Sequence, residues 1–307
     1  MDKKLRVGIL GATGMVGQRF ISLLENHPWF EVVTVAASPR SAGKTYEEAV
    51  GGRWKMDTPM PEGVKNLIVK NVNEVEEVAS TVDFVFSAVD MTKDEIRAIE
   101  EEYAKTETPV VSNNSAHRWT KDVPMVVPEI NAAHFDLIKT QKERLGTTRG
   151  FIAVKPNCSI QSYTPALAAW KEFGPKEVVV TTYQAISGAG KTFKDWPEMI
   201  ENIIPYIGGE EEKSEKEPLR VLGTLENGEI KGIYTPEEFR QLSEPDREHM
   251  GLRAVDLQAV FPPKAHLPAP PPVLELRNVT LRYKKQTILH DIELSAGKGE
   301  VIGVVGH

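Results

Sequence analysis

The stretch "LRVGILGATGMVGQRFISLLENHP" near the N-terminus restricts the possible folds of this chain more than any other. Leu5 to Leu10 is a short apolar run suited to a buried strand. Gly11, Gly14 and Gly17 follow at regular spacing, and Val16, Phe20, Leu23 and Leu24 have the periodicity of an amphipathic helix. Strand, glycine turn and helix in that order form a site where backbone can approach a pyrophosphate, which then rests on the N–H groups and positive end of the helix. Gly11, Thr13, Gly14, Met15 and Val16 are the expected cofactor contacts. A glycine turn that only packs tightly is the alternative.

The alternation continues through "EVVTVAAS", "VDFVFSAVD", "TPVVSN" and "EVVVTTYQAIS", short Val/Ile-rich runs separated by longer helical segments. That is the pattern of an α/β fold with a mainly parallel sheet, here a Rossmann-type dinucleotide-binding domain. An NAD site usually ends its second strand with an acidic residue for the ribose 2′-hydroxyl. This chain offers Ser38, Arg40 and Ser41 instead. A guanidinium can meet a 2′-phosphate through two hydrogen bonds, so NADP is the expected cofactor. A solvated loop arginine is the competing reading of Arg40.

The net charge of -7 over 307 residues, without a dense Lys/Arg stretch, argues against nucleic acid or an anionic membrane as partner and for a small molecule. The opening "MDKKLRVGIL" is neither a signal peptide nor a membrane span, so a cytoplasmic location is expected. One cysteine, Cys158, excludes an intrachain disulfide and a cysteine metal cluster, and no metal centre is expected. In "VKPNCSIQSYTPALAAW", Pro156 and Asn157 break a strand and Cys158 opens a helix whose Ile160, Leu167 and Ala168 can face a core. A helix N-terminus stabilises a thiolate, which makes the residue a candidate nucleophile; a buried structural cysteine is the alternative.

Residues 1–231 resemble the archaeal and fungal type of aspartate-semialdehyde dehydrogenase. The resemblance runs through "GATGMVGQRF", "SPRSAGK", "GGRWK", "SNNSAHRW", "VPMVVPEIN", "KPNCSIQ", "YQAISGAGKT" and "GGEEEKSEKEPLRVLGTLENGEIK". It implies an NADP-dependent enzyme of lysine, threonine and methionine biosynthesis in which Cys158 attacks β-aspartyl phosphate and the resulting thioester is reduced. It further implies that Gln184 orients the substrate and that Asn157 lies beside it. Arg118 and Lys213 would hold phosphate and Glu210 the substrate ammonium. Ser187, Gly188 and Gly190 would lie against the nicotinamide. A solvated charge run competes for Glu210 and Lys213. The same resemblance implies a homodimer or homotetramer, and some relatives reduce an acyl-CoA such as malonyl-CoA with the same cysteine. "SGAGKT" is not a nucleotide phosphate loop, because Ala185 stands where that pattern needs glycine.

The family resemblance is expected to stop at Lys231. The family's substrate-carboxylate Arg, followed seven residues later by an acid/base His, has no counterpart in residues 232–307, so impaired turnover is expected. "YTPEEFRQLSEPDREHMGLR" and a proline-rich linker follow, and "LELRNVTLRYKKQTILHDIELSAGKGEVIGVVGH" resembles the first strands of an ABC transporter ATPase domain, with Tyr283 as the adenine-stacking aromatic, an ordinary strand aromatic being the alternative, and Gly306 as the first phosphate-loop glycine. The phosphate-binding Lys and Ser/Thr are absent, so ATP hydrolysis is not expected. The expected organisation is a Rossmann domain (1–150), part of a catalytic and dimerisation domain (151–231), a helical and proline-rich linker (232–272) and truncated ATPase strands (273–307), as in a chimera of two genes.

Overall fold

The computed structural model describes residues 3–175, 178–189, 191–204, 207–226, 228–232, 274–283 and 286–296. Met1–Lys176 with Thr182–Thr235 form one compact unit, and Glu177–Thr181 with Pro236–His307 a second. The first unit holds strands β1 (Leu5–Leu10), β2 (Phe30–Ala37), β3 (Lys70–Asn71), β4 (Phe84–Ser87), β5 (Val110–Ser112) and β6 (Ile152–Val154). Its helices are α1 (Met15–Leu24), α2 (Tyr46–Val50), α3 (Glu62–Lys65), α4 (Val75–Ala79), α5 (Lys93–Lys105), α6 (Pro128–Asn131), α7 (Leu137–Leu145), α8 (Ile160–Trp170) and α9 (Glu210–Val221).

The six strands form one parallel sheet in the order β3-β2-β1-β4-β5-β6. Chain order reverses direction between β1 and β4. Helices leaving their carboxyl ends go to opposite faces, and a crevice opens between them. Strands buried on both faces read as continuous apolar runs, which is why "VGIL" and "VVTVAA" carry no polar alternation. Val7, Ile9, Val35 and Ala37 pack on one face with Ile21, Tyr46, Val50 and Val69. Leu10, Ala36 and Val85 pack on the other with Ile96, Ile99, Tyr103, Met125, Ile152 and Ile160. Capping boxes start α2 at Thr45 with Glu48 and α5 at Thr92 with Glu95.

An antiparallel hairpin of β7 (Thr224–Glu226) and β8 (Glu229–Lys231) follows α9. The second unit contains β9 (Leu274–Tyr283) paired antiparallel with β10 (Gln286–Ala296). Among the described residues no helix is long and apolar enough to cross a membrane.

Two expectations change. "EVVVTTYQAIS" forms no strand among its described residues: Val178, Val179 and Val180 are exposed, and they have no ladder partner among the described residues. The buried face of α1 is also rotated from the predicted one. Gly17, Gln18 and Ile21 are buried, whereas Val16 and Leu23 are exposed. Close approach decides the rotation, since a Cβ on Gly17 would stand 2.3 Å from the Gly11 carbonyl oxygen. In α8, Ile160 and Thr164 are buried and Leu167 and Ala168 half-buried. The expected helix and linker of residues 233–272, as well as Gly190 and Gly306, lie outside the described residues, as does the side chain of Tyr283.

Candidate functional site

A cleft of about 530 Å³ opens at the carboxyl ends of β1, β2 and β4. Gly11, Thr13, Gly14, Ser38, Arg40 and Ser41 line it, with Lys44, Arg53 and Asp90. The three loop glycines have different duties. Gly11 takes φ +79°, and a Cβ there would meet the Ala88 carbonyl oxygen at 2.2 Å, so the turn itself requires glycine. Gly17 allows the helix to approach the turn. Gly14 caps α1, and a Cβ there would touch only the Gly11 oxygen, at 3.4 Å. Its bareness serves the cleft and not the packing.

No side chain caps the start of α1 and its first turn carries no acidic residue, so the N–H groups around Met15 and Val16 remain available to a phosphate. These features fit a dinucleotide. Two side chains that sequence reasoning missed hold the turn from behind. Gln18 donates to the carbonyls of Thr13 (3.0 Å) and Arg53 (3.1 Å) and accepts from Lys55 N–H (2.7 Å), while the Tyr46 hydroxyl donates to Ala12 at 2.8 Å. Burial pushes the Tyr46 phenol above its ordinary pKa, so it remains a donor. Arg53 lines the cleft but spends its guanidinium on the carbonyls of Ala49 and Val50 at the end of α2.

The second candidate region begins where β6 ends. Asn157 Oδ1 accepts from Ser159 N–H at 2.8 Å, an Asx turn with the exposed Cys158 at its tip, two residues before α8. Glu210, the first residue of α9, gathers four groups around that turn. Its carboxylate accepts from Lys213 Nζ (2.7 Å), Gln184 Nε2 (2.9 Å), Asn157 Nδ2 (3.1 Å) and Ser159 Oγ (3.4 Å). Burial raises the Glu210 pKa, but hydrogen bonds from Lys213 and Gln184 outweigh it and hold the carboxyl below the ordinary range.

Arg118 and Glu217 form an ion pair at 2.9 Å with both side chains more than nine-tenths buried. Arg118 Nε donates to the Lys155 carbonyl at 3.1 Å, and the second Glu217 oxygen accepts Asn157 N–H at 2.6 Å. Further along α9, Arg220 donates to the Thr120 and Val123 carbonyls, both at 3.1 Å. Glu210, Lys213, Glu217 and Arg220 thus share one helical face, while Glu211, Glu212, Glu215 and Lys216 are exposed. The apparent charge run is half solvated and half inward-facing. Glu217 and Arg220 escaped sequence reasoning, although they continue the spacing of Glu210 and Lys213. Lys155 was missed as well. Burial first, then Arg118, lowers its pKa, against raising influences from Cys158, Glu217 and Glu210.

Ser187 and Gly188 lie on an exposed turn, Ile186–Ala189, that follows Gln184 and does not line the glycine cleft. The segment beyond it is tied to the cofactor side by Lys55, whose ammonium pairs with Asp195 at 2.7 Å. Two buried histidines serve elsewhere. His117 contacts Thr120 and the Arg97 carbonyl, His134 contacts Asn131 and the Gly223 carbonyl, and burial lowers the pKa of both.

The sheet order and the glycine cleft at its switch point define a dinucleotide-binding protein, with an exposed thiol beyond β6. The semialdehyde dehydrogenase NAD-binding domain matches residues 6–138, and the semialdehyde dehydrogenase dimerisation domain matches residues 166–238. Aspartate-semialdehyde dehydrogenase of Methanothermobacter thermautotrophicus is 45% identical over 228 residues, covering 74% of this chain and 63% of that protein. The Saccharomyces cerevisiae protein is 40% identical over 255 residues, 80% of this chain and 68% of its own length. A crystal structure of the Candida albicans enzyme with NADP superposes with TM-score 0.66 at 38% identity, over 76% of this chain and 65% of that one. The chain belongs to the aspartate-semialdehyde dehydrogenase family. It spans 63% of the Methanothermobacter protein and 60% of its Aspergillus fumigatus relative. The dimerisation match continues to residue 238, past the expected stop at Lys231, and no match supports the ATPase resemblance of residues 273–307.

Proposed function

We propose that this chain carries the reductive dephosphorylation of an acyl phosphate, β-aspartyl phosphate, through a thioester on Cys158. The observation that carries the reading is the exposed thiol on an Asx turn tied to Glu210, which is bonded in turn to Gln184 and Lys213. The thiolate attacks the acyl carbon, the carbon–oxygen bond to phosphate breaks, and inorganic phosphate leaves. Bound NADPH supplies hydride to the thioester carbonyl. The aldehyde then departs and the sulfur regains its electron pair. Arg118, whose Nη2 has no partner among the described residues, and Lys213 present positive charge to the leaving phosphate. Glu210 stays anionic and suits the substrate ammonium, and Gln184 sits on the same carboxylate to orient the acyl group.

In the glycine cleft, Gly11, Thr13, Gly14, Met15 and Val16 meet the pyrophosphate. Ser38, Arg40 and Ser41, joined by Lys44, meet the 2′-phosphate; Ser187 and Gly188, whose turn does not line this cleft, are assigned to the nicotinamide on the family resemblance alone. A second copy of the chain pairs through the dimerisation region. Residues 273–307 keep their ATPase reading only as a proposal from sequence, in which β9 and β10 are the opening antiparallel strands. The enzymatic reading is tested by following NADP reduction at 340 nm with aspartate semialdehyde and phosphate. Phosphate-dependent reduction that Cys158→Ala removes supports it; reduction without phosphate or with the cysteine absent overturns it.

A further inference from the structure

We infer that Glu217 is a positioning residue which couples the nucleophile turn to the group that holds the substrate's phosphate, an inference that rests on the proposed function. One carboxylate does both tasks. Its Oε1 takes Arg118 Nη1 at 2.9 Å, and its Oε2 takes the Asn157 N–H, one residue before Cys158, at 2.6 Å. Arg118 Nε is held in addition by the Lys155 carbonyl at 3.1 Å, two residues before Asn157. The guanidinium is therefore tied by Nε directly, and by Nη1 through Glu217, to the segment that bears the thiol, and its Nη2 is left over among the described residues.

A planar fork fixed at two points aims its third nitrogen in one direction, which a lysine in the same place cannot do. With Arg118 and Glu217 both more than nine-tenths buried, water competes weakly for these bonds. The spacing between sulfur and phosphate binder is thus set by α9, on which Glu217 lies seven residues after Glu210. The helix holds the ammonium site, the phosphate site and the thiol turn at fixed offsets.

The test uses the full chain and inorganic phosphate as the probe, read as protection of Cys158 against iodoacetamide. A purely electrostatic view predicts that Glu217→Gln, which removes a negative charge beside Arg118, tightens phosphate. Positioning predicts the opposite sign: protection requires about tenfold more phosphate, with near-ultraviolet circular dichroism unchanged. Arg118→Lys, which keeps both charges but loses the fork, should weaken protection by a similar factor, and it decides the matter if the glutamine variant does not fold. Equal or tighter phosphate binding in the folded variants overturns the role of Glu217 while leaving the phosphate site intact. If phosphate fails to protect even the unaltered chain, the proposed function fails at this site and the inference falls with it.

Discussion

The glycine cleft and the thiol region solve opposite problems. The cleft is made mainly by three short stretches of chain, residues 11–14, 37–44 and 88–91, and works largely through missing side chains: Gly11 and Gly17 let backbone approach backbone, and Gly14 leaves the cradle open. The thiol region joins residues 118, 155–159, 184 and 210–220, and works through side chains that satisfy one another in partly buried surroundings. One is a shape set largely by backbone. The other is a charge arrangement whose parts are costly to remove singly, because each deletion strands a partner.

Substitutions should separate the two regions cleanly. The largest effect is expected from Cys158→Ala, which should lower phosphate-dependent NADP reduction by at least about 10⁴-fold and leave the NADPH dissociation constant, read by fluorescence titration, within about twofold. A parallel loss of cofactor binding would break the comparison. Glu217→Ala comes next. It leaves Arg118 buried without its carboxylate and should cost about 3–5 kcal/mol in urea unfolding, against well under half of that for the exposed Glu212→Ala.

Within the glycine loop the comparison can be sharpened by a pair. Gly17→Ala places a methyl 2.3 Å from the Gly11 oxygen and should destabilise the fold by about 1–3 kcal/mol. Gly14→Ala adds a methyl with only one contact, at 3.4 Å, so thermal unfolding should barely change while NADPH binding weakens. Equal destabilisation by both would mean that Gly14 serves packing. Arg40→Ala should weaken NADPH about tenfold and NADH little, as a lost charge-assisted contact predicts.

The smallest effect concerns acid. Glu107 accepts backbone N–H groups from Thr148, Arg149 and Gly150, just before β6, and these bonds hold its carboxyl down at about 2. Because the folded pKa is depressed, the contribution is present above the ordinary carboxylate range and is lost as pH falls from there towards about 2. Urea midpoints measured between pH 5 and 2.5 should fall less steeply for Glu107→Gln than for the unaltered chain. An identical slope would remove Glu107 from the support of the thiol strand.

The first half of the chain was readable because its determinants are local. "LRVGIL" is β1 residue for residue, and the glycine spacing placed the cleft without any knowledge of distant segments. Periodicity predicted α1 but not which side it buries, since the contact between Gly17 and the Gly11 carbonyl involves backbone, which a hydrophobic pattern does not register. "EVVVTTYQ" has strand composition and yet forms no ladder among the described residues, because a strand depends on a neighbour that its own residues cannot provide.

What the sequence determined by itself is therefore the doubly wound sheet, the glycine turn, and a lone cysteine that follows a strand and precedes a helix. Only the tertiary structure decided that half of "EEEKSEKEPLR" turns inward, that Arg118 is claimed by Glu217, and that Glu210 meets Asn157 and Gln184. The physical reason is that hydrogen bonding between buried charges depends on angles and separations of a few tenths of an ångström between segments some 26 to 99 residues apart. Those separations exist only once the sheet and α9 have been packed together.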